Sequence, residues 1–170
     1  LEMDETGNIY MGGLSSTAGG NLVGYQIASP TGYEPNNPGN EMAFLAKFTP
    51  SGGRLWGTYY PGREIRAITS YGSADVYAGG TIFGSVNIAT PGVEQTTPGG
   101  GDDAFLIKIK NSGDAILWAT YYGGSMNEQV LALKCDFSGN VYVGGQTNSS
   151  NNIASNPAQQ GTFSGGAPND

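Results

Sequence analysis

A chain of 170 residues that is 38% hydrophobic and 11% aromatic can build a core, and its 12% charged content is too low for a charge-driven disordered segment. A formal net charge of -7, with only seven scattered Lys and Arg, excludes a nucleic-acid backbone partner, which requires clustered basic residues. The absence of histidine removes the commonest general base and zinc ligand, and no apolar run reaches the ~18 residues that a spanning helix needs.

Glycine is the unusual residue: 29 of 170 against a usual ~7%. Spread through the chain, it signals tight turns and close backbone contacts. Cys135 is the single cysteine, so no disulfide forms within the chain, and a lone thiol of this kind reads as a small apolar residue. The chain begins at Leu1 without a secretory leader and reads as an interior piece of a longer precursor.

In chain order, Leu1 to Asp4 reads as the tail of a strand, and Glu5-Thr6-Gly7-Asn8 as a turn. A strand follows from Ile9 to Leu14, then a long polar stretch from Ser15 to Glu41, rich in Gly, Pro and Asn, with no helical period. Ala43 to Phe48 alternates, Thr49 to Gly53 closes a turn, and Arg54 to Tyr60 is a strand with Leu55, Gly57 and Tyr59 facing one way and Trp56, Thr58 and Tyr60 the other. Strands apolar on both faces belong to a sheet covered on both sides.

The cycle then resumes. Ile65 to Thr69, a turn at Tyr71 to Ala74, Val76 to Thr81 and a polar loop from Phe83 to Gly101 lead into Asp103 to Ile109, a turn at Asn111 to Asp114, and Ile116 to Tyr122. Gln129 to Cys135, a turn, and Val141 to Thr147 follow, with a third polar loop from Asn148 onward.

These elements are written in repeated words. Gly139-Asn140-Val141-Tyr142-Val143-Gly144-Gly145 echoes Gly7-Asn8-Ile9-Tyr10-Met11-Gly12-Gly13 and Ala74-Asp75-Val76-Tyr77-Ala78-Gly79-Gly80. Ala43-Phe44-Leu45-Ala46-Lys47-Phe48 returns as Ala104-Phe105-Leu106-Ile107-Lys108-Ile109, and Leu55-Trp56-Gly57-Thr58-Tyr59-Tyr60 as Leu117-Trp118-Ala119-Thr120-Tyr121-Tyr122. A period of about 60 to 67 residues holding four short strands is too long for a β-solenoid coil and fits the blade of a β-propeller. The expected fold is therefore all-β: four-stranded antiparallel meanders forming a partial arc of about two and a half propeller blades. Their expected bounds are 1–60, 61–122 and 123–170, the first incomplete at its start and the last stopping before its third strand. A propeller closes with four to eight blades, so further blades of the same longer chain, or other copies, are expected to complete it.

At Asp136 to Gly145, Gly101-Asp102-Asp103-Ala104-Phe105 and Gly113 to Gly124 the chain resembles the bacterial β-propeller repeat family often abbreviated SBBP. The Ile88-Ala89-Thr90-Pro91-Gly92 loop is similar to versions in secreted proteins of Bacteroidota such as flavobacteria. The middle copy departs from the pattern, with Tyr71 at the turn Asp position, Ala74-Asp75 for Gly-Asn and Pro61 for Gly. The resemblance implies a strand order that runs outward from Gln129–Cys135 through Val141–Thr147 and the Ala-Phe-Leu strand to the Leu-Trp strand. It also implies an extracellular or outer-membrane surface setting, in bacteria that use type IX secretion.

The chemistry-bearing residues point to no catalytic constellation, cofactor or metal. Asp4, Asp102, Asp103 and Asp136 are the best metal candidates, yet Asp-x-x-Gly-Asn lacks the run of oxygen ligands of a calcium loop and reads as turn chemistry. Glu34, Glu94 and Glu128 occupy no convergent positions of the kind a glycosidase pair needs. Trp56 and Trp118 read as packing anchors, and Gly99-Gly100-Gly101 lacks the Lys-Ser/Thr of a phosphate loop. The three long loops leave the repeat at one point and so share a face, on which Tyr25, Tyr33, Phe83 and Phe163 are the candidate ligand-binding residues. The reading is a non-enzymatic surface scaffold or adhesion module that binds protein or polysaccharide through those loops. The alternative is a propeller domain of a secreted carbohydrate-active enzyme whose catalytic groups lie elsewhere.

Overall fold

The computed structural model describes residues 1–16, 27–37, 41–72, 75–84, 86–155 and 158–161. Among them there is no helix, and ten strands form three antiparallel sheets. Sheet A runs β1 (Glu2–Met3), β2 (Ile9–Ser15), β3 (Met42–Phe48) and β4 (Arg54–Tyr60), in that order. Sheet B runs β5 (Glu64–Tyr71), β6 (Asp75–Phe83), β7 (Asp102–Lys110) and β8 (Ile116–Tyr122). Sheet C holds β9 (Glu128–Cys135) and β10 (Val141–Thr147). Every neighbour in a sheet is its neighbour in sequence, so each sheet is a meander, and the three sheets do not join into one. The strands begin and end within two residues of the places where turn residues bound the apolar runs.

Two irregularities recur with the repeat. Between β5 and β6 the register skips Arg66, and between β9 and β10 it skips Leu131, in both cases opposite the Gly-Gly pair. Between β3 and β4 it skips Leu55, and between β7 and β8 it skips Leu117. A bulge adds one residue on one side and turns it away from the plane its neighbours follow. This is why Leu55 and Leu117 are about half exposed although simple alternation places Leu55 on the same face as buried Tyr59.

The sheets stack face to face by one rule. β5 packs on β1, β2 and β3, and β9 packs on β5, β6 and β7, so the first strand of each sheet lies over the first three strands of the sheet before it. Sheet B is therefore covered on both sides, and β6 is buried without interruption from Val76 to Ile82. One continuous core spans sheets A and B, with Leu45, Tyr60, Ile65, Ile82, Phe105 and Ile107 at its centre. A smaller cluster of Ala67, Ala104 and Val130, with Leu106 and Leu133 against it, joins B to C.

A buried polar group pins A to B. The Asp4 carboxylate accepts hydrogen bonds from the Thr6 amide (3.0 Å) and hydroxyl (2.7 Å), from the Asn8 amide (2.9 Å) and side chain (3.0 Å), and from the Tyr10 hydroxyl (3.0 Å). Lys47 Nζ stands 3.4 Å from the same carboxylate and 4.9 Å from the centre of the Tyr10 ring. From sheet B, the Asn111 side-chain oxygen accepts from Lys47 and shares the single Tyr10 hydroxyl proton with Asp4 at 3.0 Å, while its carbonyl accepts from Trp56 Nε1 at 2.7 Å. The Trp56 indole lies on Gly113 of the same turn. Burial by itself would raise the Asp4 pKa, but the hydrogen bonds from Asn8, Thr6 and Tyr10 outweigh it and hold the carboxyl well below the usual carboxylate range.

Two predictions follow from this junction. Gly52 and Gly113 occupy the same place in their turns, at φ 86 and φ 75, but nothing lies within 4 Å of a Cβ at Gly52, whereas Trp56 Cε3 would lie 2.6 Å from one at Gly113. Gly52→Ala should cost only the left-handed backbone penalty of about 1 kcal/mol in urea denaturation, and Gly113→Ala about 3 kcal/mol, since the indole must also move. Asp4→Asn leaves Lys47 buried without its anion and should destabilise by about 3 kcal/mol at pH 7. Because the folded pKa of Asp4 lies well below its unfolded value, the stability it confers is fully present above about pH 4 and is lost as the pH falls through the folded pKa, so the gap between wild type and variant should begin to narrow by pH 3 and close only at still lower pH.

Candidate functional site

The long loops do not simply project from the end of the sheets. Residues 27–37 turn back along β4: the Ser29 amide donates to the Gly57 carbonyl (2.8 Å) and the Tyr59 amide to the Glu34 carbonyl (2.9 Å). Residues 86–101 do the same to β8, with Thr90 donating to Ala119 (3.0 Å) and Tyr121 to Gln95 (3.3 Å). The hydroxyls repeat as well. Ser29 Oγ and Thr90 Oγ1 each accept from the amide they face, of Gly57 and Ala119, and the Thr58 and Thr120 hydroxyls each accept from the Glu34 and Gln95 amides. Ile27-Ala28-Ser29-Pro30 and Ile88-Ala89-Thr90-Pro91 are thus edge covers that satisfy the outer backbone of each four-stranded sheet.

The candidate ligand residues fall in different places. The Tyr33 ring lies 6.4 Å from that of Tyr60, its amide donating to the Gly113 carbonyl at 2.9 Å. Phe83 ends β6, and the Arg63 guanidinium stands 4.7 Å above its ring. Among the described residues no ring contact joins the two, and Tyr25 and Phe163 lie outside the described residues.

Next to Phe83 the structure forms a polar cleft of about 250 Å³ between sheets B and C. It is built from matched positions of two repeats: Glu64 opposite Thr81 in sheet B, and Gln129 opposite Gln146 in sheet C. Arg66, turned outward by its bulge, donates to Glu64 Oε1 from Nε (2.8 Å) and Nη2 (2.7 Å). Gln129 Nε2 donates to Gln146 Oε1 at 2.6 Å, and Arg63, Asp102, Asn127, Glu128 and Asn148 complete the wall. Sequence reasoning missed this group because bulges and side-by-side placement of two repeats decide it, although the shared position of Glu64 and Gln129 after the Leu-Trp strand was available.

Of the cleft's carboxylates Glu128 is buried, and Asp103, next in sequence to the lining residue Asp102, is buried behind it. Asp103 accepts from the Gly99 amide at 3.0 Å; Glu128 accepts from the Gly124 amide at 2.8 Å and from the Thr147 hydroxyl at 2.6 Å. The glycine triplet Gly99–Gly101 is needed here by space, since a Cβ on any of them would strike Gly124, Ser125 or Asn127. Burial pushes the Asp103 carboxyl up, and the nearby Glu128 and Asp102 charges add to that against the lowering by the Gly99 and Gly100 amides. Asp136 repeats the Asp4 turn, accepting from Ser138 (2.9 Å), from the Asn140 amide (2.9 Å) and side chain (2.8 Å), and from the Tyr142 hydroxyl (3.2 Å). Among the described residues no three His, Cys, Asp or Glu side chains converge as metal ligands. Cys135 is partly buried, its Sγ donating to the Ser70 carbonyl at 2.8 Å.

No protein-family model matches the chain, and no curated protein matches it either.

Asp103 behaves oppositely to Asp4. Its folded pKa is raised, so the folded state binds the proton more tightly and stability falls as the pH rises through the folded pKa. Asp103→Asn keeps an acceptor for Gly99 and removes the charge, so its stability relative to wild type should improve from pH 3 to pH 7, as followed by urea titrations across that range.

Proposed function

We propose that the chain is an arc of a β-propeller and that the cleft between its second and third sheets binds a polysaccharide without chemical turnover, at the outer surface of a bacterial cell. The propeller reading is supported by the repeated meander, the repeated stacking of first strand on preceding sheet, and the repeated edge covers. Surface location is supported by the resemblance of the repeated words to secreted repeats.

The observation that carries the ligand is the composition of the cleft: amides at Asn127, Gln129, Gln146 and Asn148, guanidinium groups at Arg63 and Arg66, carboxylates at Glu64, Asp102 and Glu128, and the Thr81 hydroxyl. Sugar hydroxyls each offer a donor and acceptors, and such a wall meets them with both. At about 250 Å³, open along one side, the cleft is smaller than the ~300–1,000 Å³ of small-molecule pockets and suits one unit of a polymer passing across it. A purely binding role is supported by the state of Asp103, Glu128 and Glu64. Asp103 is buried outside the lining, Glu128 is buried with its oxygens taken by the Gly124 amide and the Thr147 hydroxyl, and Glu64 is paired with Arg66, so none of the three is presented to a glycosidic oxygen as a general acid must be.

A glycan array covering neutral and uronic-acid polymers, followed by calorimetric titration of the polymer that binds, tests the proposal. The double substitution Gln129→Ala, Gln146→Ala should weaken binding at least ~10-fold, about 1.4 kcal/mol, while leaving the unfolding midpoint near wild type. Absence of binding to every polymer, affinity unchanged in the double variant, or release of new reducing ends by the chain alone would each overturn it.

A further inference from the structure

The third repeat is built as though two more strands lay beside it. Tyr10 and Tyr77 hold the same position in β2 and β6 and are 1% and 5% exposed, whereas their counterpart Tyr142 in β10 is 61% exposed. β2 and β6 pair on their outer side with β3 and β7, while β10, among the described residues, pairs with β9 alone. An uncovered strand edge presents a row of amides and carbonyls ready to take another strand.

Three further features give that strand its chemistry. Beside β10 runs an apolar groove of about 420 Å³, with Leu106, Tyr122, Val130, Val143 and Ile153 among its walls. Its counterpart between sheets A and B is filled by Phe105 of β7, whose ring stacks on Tyr60 at 5.2 Å and 28°. Tyr60 is 2% exposed under that ring; Tyr122, the matching residue, is 39% exposed.

The second feature is electrostatic. In sheet A the Asp4–Tyr10 pair meets Lys47 of β3, and in sheet B Lys108 of β7 lies 2.9 Å from Asp75 and 5.4 Å from the Tyr77 ring centre. Asp136 and Tyr142 form the same pair in sheet C, and among the described residues no cation meets it.

The third is the edge cover. Ile153-Ala154-Ser155 repeats Ile27-Ala28-Ser29, but Ala154 and Ser155 are exposed whereas Ala28 is buried and Ser29 clasps Gly57 of β4.

We propose that the outer edge of β10 and the groove beside it are a docking surface for a β-hairpin of the chemistry Ala-Phe-Leu-x-Lys followed by Leu-Trp-x-Thr, supplied by a further repeat. The register follows from the two completed sheets, in which Tyr10 and Tyr77 face Lys47 and Lys108, Gly12 and Gly79 face Leu45 and Leu106, and Gly13 and Gly80 face Phe44 and Phe105. The added strand therefore sets its Lys opposite Tyr142, its Leu opposite Gly144 and its Phe opposite Gly145. That Phe enters the groove against Tyr122, and that Lys reaches Asp136. Ser155 then clasps the residue after the Trp of the second strand. A second copy of the chain holds both of its hairpins, β3–β4 and β7–β8, inside its own sheets and cannot supply one without opening a sheet. The docking surface does not depend on what the polar cleft binds.

The test joins a second copy of residues 102–122 to Asp170 of the full chain and compares hydrogen exchange with the parent by NMR. Successive amides of a strand point to opposite sides. The alternate amides of β10 that face away from β9 should slow at least ~10-fold, with little change in those facing β9. Nuclear Overhauser contacts should link the Tyr142 ring to the appended Lys. Replacing that lysine by alanine in the appended copy, or Asp136→Asn in the parent, should each lower the added protection, and the two together should lower it by less than the sum. The 102–122 peptide titrated into the unextended chain gives a second measurement that needs no new fold, and should shift the resonances of Tyr142, Val143 and Gly144. Outer-edge amides left unprotected in the extended chain together with no shift on titration would overturn the proposal. So would a register that sets the lysine opposite another residue, or pairing of β10 with β10 of a second chain while the appended hairpin stays unfolded.

Discussion

A strand apolar on both sides must be roofed twice, and everything else in this protein follows from how that roofing is supplied. Each sheet lays its first strand across the first three strands of the sheet before it, so the roof is always another copy of the same unit. β6 and β10 show what depends on it. Their sequences share Val-Tyr-x-Gly-Gly, yet the first is buried through seven consecutive residues and the second is exposed at five. Burial here is a property of position in the stack. At ~25 cal/mol per Å² of apolar surface, a side chain such as Phe105 or Ile107 contributes about 2 kcal/mol only where a neighbouring sheet exists to cover it.

Apolar faces slide, and polar contacts at one point in each repeat fix where they stop. Asp4, Tyr10, Lys47 and Trp56 all come from sheet A, and all but the carboxylate bond to Asn111 in the turn of sheet B. A buried ion pair is a poor source of net stability, because desolvation consumes most of what attraction returns. The value of this junction lies in specificity: a register slip of one residue between the sheets would leave the Asp4 bonds within sheet A intact but pull Asn111 away from the buried Tyr10 hydroxyl, Lys47 ammonium and Trp56 indole N–H that it serves. The mutual placement of the sheets is therefore discriminated more sharply than apolar contact alone would allow.

The sequence made the strands and the period plain, because Gly-Asn, Ser-Gly and Pro mark the turns and the same words recur at matched intervals. The Asp turn was also legible, as Asp4 and Asp136 accept the same set of bonds from the residues two, four and six positions on. The bulges were not. Leu55 and Arg66 look like ordinary members of an alternating strand, and only the pairing partner reveals that one residue too many has been inserted. The path of the loops was hidden for a related reason: Ser29 and Thr90 are unremarkable polar residues until the edge of β4 or β8 lies beside them. The cleft joins side chains from two repeats, so no reading within one repeat could assemble it.

The edge covers decide where a ligand can be recognised. A loop whose backbone is committed to an outer strand through a Ser or Thr hydroxyl and paired amides has a fixed path, and Tyr33 is held beside Tyr60 with 45% of its surface still exposed. The side chains left to vary are those at the ends of the first two strands, where adjacent sheets meet and the bulge turns Arg66 outward. Equivalent positions there carry Glu64 and Thr81 in one repeat and Gln129 and Gln146 in the next. Repeats that must agree in their buried faces to stack at all are free to differ in these few residues. A row of such junctions can present a different arrangement of donors and acceptors at each step without disturbing the fold beneath.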